Sequence, residues 1–316
     1  MPRTKSTSQI WLEYIPVRVL FWILGVLPRR MALSVGESIG RLAYRMIGGL
    51  RRVAHRNLEV AFPDKTEEER HRVARASFES LGRVLGELTH FPKADRHQLE
   101  SIIDFDFETD ESRNSPELVA FEQERAKGRG VLLIGPHLGN WEIGVFAYSA
   151  FREPLTYLAR PLDNPLIEDF TVRLRSRFGN RAINKNKSVT AAIAVLREGG
   201  VLGVLPDVNV LHRDGVFVPF LGTLACTTSG VAMMAMRTNA MILPMCCVWN
   251  PEIGKYRVHY GSLIEVPDTG DRHRDVLEAT AAFTAEMEKF VRAYPEQWMW
   301  IHKRWKTRPD GEKELY

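Results

Sequence analysis

Cysteine is scarce: Cys226, Cys246 and Cys247 are the only three in 316 residues. That number cannot build a disulfide framework, and no CxxC or Cys/His spacing of the kind that holds zinc is present. A reducing compartment and no metal are therefore expected, with the adjacent Cys246-Cys247 pair packed in an apolar strand. Internal repeats and low-complexity linkers are also missing, which excludes solenoids and disordered arrays. Long hydrophobic runs are missing too. The most apolar stretch, residues 15–27 (IPVRVLFWILGVL), is broken by Arg18 and falls short of the roughly 20 residues a secure bilayer crossing needs. It is long enough to anchor. No small-residue cleavage site follows it and Pro28-Arg29-Arg30 closes it, so a retained anchor is expected rather than a removable signal.

What is present is the composition of a packed protein, 45% apolar and 26% charged, in a chain long enough to bury a large core. The net charge is only +4, but its placement is uneven. Residues 1–60 carry ten Lys and Arg against three acids, a net of +7. A second basic cluster, Lys303, Arg304, Lys306 and Arg308, lies near the other end. Nucleic acid and an anionic membrane both suit such ends. The basic residues alternate with apolar stretches rather than forming a recognisable nucleic-acid module, so a membrane surface is expected and nucleic acid is not. Val35, Ile39, Leu42, Met46 and Leu50 recur at helical spacing opposite Glu37, Ser38, Arg41 and Arg45. Such a helix lies on a membrane or packs on a domain. The basic flank would face the cytoplasm.

Beyond Pro63-Asp64 the pattern alternates. Helices are expected from Thr66 to about Phe91-Pro92, through Ala126, and over 141–151, 165–178, 188–198 and 275–294; strands are expected at 131–135, 155–159, 201–205, 241–249 and 256–260. Continuous apolar strands of this kind are buried on both faces, which predicts an α/β domain with a central, mostly parallel sheet flanked by helices. The division expected is an N-terminal membrane-anchoring helical segment at 1–60, a catalytic domain at 61–308 and a polar tail at 309–316.

Ligands collect beyond the carboxyl ends of strands in such sheets, and three of those ends carry reactive residues. Residues 136–142 read Pro-His-Leu-Gly-Asn-Trp-Glu, residues 160–165 read Arg-Pro-Leu-Asp-Asn-Pro, and Pro206-Asp207 follows the strand at 201–205. On one continuous helix His137 and Glu142 would point about 140° apart. A bend at Gly139, with Asn140 capping a helix from Trp141, lets them converge. A carboxylate on one imidazole nitrogen fixes the tautomer and leaves the other nitrogen as a base.

The segment Ile134-Gly135-Pro136-His137-Leu138-Gly139-Asn140-Trp141-Glu142 resembles the H-x4-[DE] block of the glycerolipid acyltransferase superfamily, and its Gly-Asn-Trp-Glu form is similar to the late acyltransferases of lipid A biosynthesis. Further blocks follow in the same order: 157–165, 205–207, 215–222 and 295–306. The resemblance covers nearly the whole chain. It implies transfer of a fatty acyl chain from acyl carrier protein to a hydroxyl of a lipid A precursor, at the cytoplasmic face of a bacterial inner membrane. The acyl-acyl carrier protein would be a cosubstrate, with no cofactor. It implies His137 as the base, oriented by Glu142, with Arg160, Asn140, Trp141, Asp207 and Asn164 around the substrate and Arg160 holding a phosphate. Val208 stands where many relatives have Gln. Two further readings come from residue character: residues 215–222 suit an acyl-chain wall or, equally, plain core packing, and Trp298, Trp300 and Trp305 among Lys303, Arg304 and Lys306 suit an interfacial or carrier-protein patch. Rival readings are acylation of another membrane lipid, such as a lysophospholipid or an ornithine lipid, and a catalytically silent membrane-surface binding protein.

Overall fold

The computed structural model describes residues 5–105, 116–184 and 189–316. Four helices come first: α1 (Thr7–Val26), α2 (Arg29–Met46), α3 (Gly48–Ala61) and α4 (Glu67–Leu88). Thr66 and Glu69 close a capping box at the start of α4, and three glutamates fill its first turn, which satisfies the free N–H groups and the helix dipole together. α2 packs on α4 at very short range. A Cβ built on Gly36 would lie 2.2 Å from the Gly82 carbonyl oxygen, and one on Gly40 would lie 2.1 Å from that of Phe78. The helix therefore buries Ala32, Leu33, Gly36 and Gly40 and leaves Val35, Leu42 and Met46 exposed. The apolar stripe seen in the sequence thus faces away from the protein. The stripe also ends sooner than expected, because the helix breaks at Ile47 and Leu50 falls on α3.

The remaining elements are α5 (Arg96–Ile102), β1 (Ile103–Phe105), α6 (Pro116–Ala126), β2 (Val131–Ile134), α7 (Trp141–Phe151), β3 (Thr156–Ala159), α8 (Pro165–Arg175), β4 (Arg181–Asn184), α9 (Val189–Arg197), β5 (Val201–Val204), β6 (Gly215–Phe220), β7 (Thr223–Thr228), α10 (Gly230–Thr238), β8 (Met241–Asn250), β9 (Lys255–Tyr260) and α11 (Arg272–Ala293). Seven strands form one sheet in the order β1-β9-β8-β2-β5-β3-β4, parallel throughout except for β8 against β9. The α/β class with a mostly parallel central sheet is as expected. Several short elements, among them β1, β4, α5, α10 and the β6–β7 hairpin, were not expected from the sequence.

Gly215–Gly222 is not an acyl-chain wall. It is the first arm and turn of an antiparallel hairpin, β6 with β7, whose Phe220, Leu221 and Ala225 join a core with Trp298, Trp300 and Trp305. The three tryptophans are buried to 3% exposure or less and Arg304 is fully buried, so the indoles form no interfacial patch. Lys303 and Lys306 stay exposed beside them. Cys246 and Cys247 lie in the core of β8 as free thiols. The tail also folds back, with the Leu315 carbonyl accepting from Arg56 at 2.7 Å and Tyr316 Oη bonded to Asn57.

Candidate functional site

β2 and β5 pair in parallel with Ile134 opposite Val204. His137 and Asp207 each lie three residues beyond that pair, so the register itself brings them face to face. His137 Nδ1 is 2.6 Å from Asp207 Oδ1, and the backbone N–H of His137 donates to Asp207 Oδ2 at 2.7 Å. Trp298 Nε1 donates to Oδ2 at 2.9 Å. The carboxylate is 2% exposed and fully engaged. Burial opposes charge on both partners. The Asp207 carboxylate and its hydrogen bond outweigh it for His137, raising the imidazole above its ordinary range, and the same pairing holds Asp207 below the usual carboxylate range. An Asp207 that accepts at Nδ1 fixes the proton there, and Nε2 is then the nitrogen with a lone pair to offer.

The loop that carries His137 is held at both ends of its turn. Gly139 has φ of +60°, and a Cβ there would lie 2.1 Å from the Cys247 carbonyl oxygen. Gly139 N–H donates to the Gln297 carbonyl at 3.0 Å, Asn140 N–H to that of Cys247 at 2.7 Å, and Met299 N–H to that of His137 at 3.0 Å. Residues 297–299 thus clasp the His137 loop while Trp298 clasps its partner acid. His302 extends the clasp, its Nε2 accepting from Asn209 N–H at 2.9 Å.

The expected bond between His137 and Glu142 is not formed. The bend at Gly139 does place Glu142 in the first turn of α7, but its carboxylate takes Arg175 of α8, whose Nε donates to Oε2 at 2.8 Å while the other guanidinium nitrogen bonds Oε1. A forked guanidinium satisfies a carboxylate better than one imidazole N–H can. Burial disfavours the Arg175 charge, yet Glu142 holds it firmly protonated. Arg175 also lies 5.4 Å over the Tyr157 ring. Glu142 reaches His137 only through space, as a smaller influence that favours the imidazolium.

The other expected site residues divide. Trp141 sets its ring edge-on to His137 at 5.2 Å and borders the cavity beside it. Arg160 borders the same cavity with a side chain 77% exposed and only a long contact, 3.5 Å, to Asp163. Asn140 is not a substrate contact. It is a fully buried cap whose Oδ1 accepts from Ile143 N–H at 3.1 Å. Asn164 is likewise spent, its Oδ1 capping α8 at Leu166 and Ile167 and its Nδ2 donating to Ile10 O and Glu13 Oε2 in α1. Asp207 is engaged by His137 and Trp298. Sequence reasoning missed Arg175, which reads as an ordinary solvated arginine in the last turn of an amphipathic helix.

The cavity has a volume of about 1100 Å³. His137, Glu142 and Arg175 meet at its wall, with apolar Val145, Leu158, Val204, Val231 and Met234 around them and Arg160, Arg213 and Arg237 on its polar part. A space of that size has room for a long alkyl chain along its apolar lining, with arginine side chains at its wall.

Comparison with known proteins gives one consistent result. The family model for bacterial lipid A biosynthesis acyltransferases matches residues 3–307. The lipid A biosynthesis lauroyltransferase of Escherichia coli K12 is 32% identical over 313 residues, covering 97% of this chain and 95% of that protein. The lipid A biosynthesis palmitoleoyltransferase of the same organism is 28% identical over 310 residues, covering 97% and 94%. Its lipid A biosynthesis myristoyltransferase is 23% identical over 311 residues, covering 97% and 90%.

Proposed function

The chain belongs to the bacterial lipid A biosynthesis acyltransferase family and is an acyltransferase; from that membership we propose that it transfers a fatty acyl chain from acyl carrier protein to a hydroxyl of a lipid A precursor, with His137 as general base and Asp207 as its orienting acid. The observation that carries this reading is the 2.6 Å contact between His137 Nδ1 and a buried Asp207 at the wall of a large apolar cavity. His137 Nε2 takes the proton of the acceptor hydroxyl as its oxygen attacks the thioester carbonyl. The carbon–sulfur bond breaks, the ester forms, and the imidazolium returns the proton to the departing thiolate. No covalent enzyme intermediate is needed.

Positive charge developing on His137 is what Asp207 is placed to stabilise. The Glu142–Arg175 pair sits at the same wall, where Glu142 anchors a guanidinium beside the reacting groups. Arg160, Arg213 and Arg237 supply cations for an anionic acceptor head or for the acidic carrier protein. The +7 N-terminal segment and the outward apolar face of α2 support work at the cytoplasmic surface of a membrane.

The test is turnover of radiolabelled acyl-acyl carrier protein by purified enzyme with a lipid A precursor in mixed micelles. His137→Ala is expected to lower kcat by about 10²–10⁴, the usual contribution of a positioned base, with circular dichroism and Tm unchanged. A normal rate in that variant refutes the assignment.

A further inference from the structure

We propose that His302 is a positioning residue for this acyl transfer: its neutral ring accepts a hydrogen bond from the backbone of Asn209 and so holds the loop that carries Asp207 against His137. The inference rests on the general-base reading above and adds a residue to which that reading gives no role.

The regularity of the sheet does not fix Asp207. β5 ends at Val204, and residues 205–211 belong to no helix or strand. On their inner side Val208, Asn209 and Val210 border the cavity, where no protein supports them. The loop has to be tied from outside, and the ties come from residues 298–307. Trp298 Nε1 donates to the Asp207 carboxylate at 2.9 Å. His302 Nε2 accepts from Asn209 N–H at 2.9 Å, gripping the main chain two residues beyond the acid. Thr307 N–H donates to Asn209 Oδ1 at 2.9 Å, and Thr307 Oγ1 donates to the Val210 carbonyl at 2.7 Å. The ring is not what anchors its own segment. The main-chain carbonyl of His302 accepts from Asn57 Nδ2 at 2.6 Å and from Arg304 N–H at 2.8 Å. The bond made by the imidazole therefore serves the loop.

A ring nitrogen that accepts an N–H must keep its lone pair, so the proton of His302 sits on Nδ1 and the ring is neutral. Its surroundings agree. Burial, the largest influence, disfavours the imidazolium; Asp207 pulls the other way, and Arg304 and His137 side with burial, so the ring titrates below the ordinary histidine range. The two histidines of the site are thus driven apart, His137 upward and His302 downward. Neutrality has a second use. A cation at 302 would compete with His137 for the Asp207 carboxylate, whereas a neutral ring leaves that charge to the base alone.

Two amide substitutions separate the hydrogen bond from the bulk of the ring. The Oε1 of His302→Gln falls near the place of Nε2 and can accept from Asn209, whereas the Oδ1 of His302→Asn falls near the place of Nδ1 and cannot. Purified full-length variants are assayed with acyl-acyl carrier protein and a lipid A precursor in mixed micelles, with kcat and KM followed across the histidine limb of the pH profile. His302→Asn is expected to lose about tenfold in kcat, the worth of one such hydrogen bond, with KM within about twofold of the parent because the ring does not border the cavity. Its limb moves to lower pH, since a loosened Asp207 favours the His137 imidazolium less. His302→Gln recovers most of the rate and the limb of the parent. Equal losses in the two variants overturn the proposal, because the bulk of the ring and not its acceptor then counts. A His302→Asn enzyme with a lower Tm but the kcat and limb of the parent overturns it too, leaving His302 a structural role only. If His302→Asn does not fold, His302→Gln decides alone: a limb in the parent's place supports the proposal, and one moved to lower pH overturns it. A normal rate in His137→Ala removes the general-base reading itself, a result at another residue and distinct from all of these.

Discussion

The two ends of the chain look alike in sequence and do opposite work in the fold. Trp11 and Trp22 stand among arginines in the first 60 residues, and Trp298, Trp300 and Trp305 stand among Lys303, Arg304 and Lys306 near the other end. The first two indoles are 48% and 69% exposed, whereas the last three are at 3% or below. The difference lies in the partners each segment meets. The outer faces of α1 and α2 find no cover among the described residues, so Trp11, Trp22, Leu42 and Met46 stay exposed. The C-terminal segment finds a hairpin, α3 and two catalytic loops, all of which bind it. Buried Arg304 shows the strength of that demand: burial pushes its guanidinium down to about 10, yet it stays inside, donating to the Cys226 carbonyl at 2.9 Å and to Thr227 Oγ1. Tryptophan with basic residues is thus a sign of an interface, and the cover available decides whether lipid or protein fills it.

The largest expected effect is on the buried end. Trp300 is fully enclosed, stacks edge-on with Trp298 at 4.5 Å and lies 5.8 Å from Phe62. Its Nε1 donates to Pro295 O at 2.6 Å, and its carbonyl accepts from Asn57 at 2.6 Å. Trp300→Ala should cost about 3–5 kcal/mol, the usual range for emptying a large aromatic site, read as a lower midpoint in urea with vesicle binding of the folded fraction unchanged. A midpoint within about 0.5 kcal/mol of the parent would break the comparison, because Trp300 would then be no more structural than Trp22.

Next comes the reaction that the buried clasp protects. Asp207→Asn removes the carboxylate that holds Nδ1 and keeps nearly the same shape, so kcat should fall by about 10²-fold or more. The pH profile carries the sign. As the proposed base, His137 would work only when neutral, so activity should rise with pH through its pKa, and in the parent that limb should lie above the ordinary histidine value because Asp207 favours the imidazolium. Without that charge, burial, the largest influence, disfavours the imidazolium against only the weaker pull of Glu142, so the limb in Asp207→Asn moves to lower pH as the rate drops. A limb that stays in place would show that another carboxylate sets it, and Glu142 is the nearest alternative. Glu142→Gln, by contrast, should leave the limb close to the parent while lowering kcat through a loosened Arg175.

The site shows how far sequence reading reaches and where it stops. His137, Glu142 and Asp207 were all candidates, and the α/β alternation placed each at a strand end. The pairing was wrong because a spacing of five residues is visible along the chain, whereas a separation of 70 becomes contact only once β2 and β5 are known to be neighbours in register. Arg175 left no local signal, since nothing in an amphipathic helix announces which arginine turns inward. β1 and β4 escaped for a related reason: at three and four residues, edge strands such as Arg181–Asn184 lack the apolar run that marked the central ones. The apolar stripe of α2 was visible as a pattern, but which face of the helix meets the domain is set by small residues, Ala32, Gly36, Gly40 and Gly82, whose importance is packing distance rather than hydropathy.

The smallest effect falls on the exposed end and completes the contrast. Trp22 is 69% exposed, so replacing it removes little packing, and Trp22→Ser should leave Tm and the urea midpoint within about 0.5 kcal/mol of the parent. On a lipid surface the same ring would be buried, and losing it should weaken binding to anionic vesicles by about ten- to 150-fold, the effect of roughly 1.5–3 kcal/mol for one large apolar side chain. Neutral phosphatidylcholine vesicles should discriminate less between variant and parent than vesicles containing phosphatidylglycerol, because the flanking arginines bring the helix to the surface before the indole enters it. If Trp22→Ser instead lowers stability and leaves vesicle binding intact, α1 has a protein partner on that face and the two ends of the chain are alike after all.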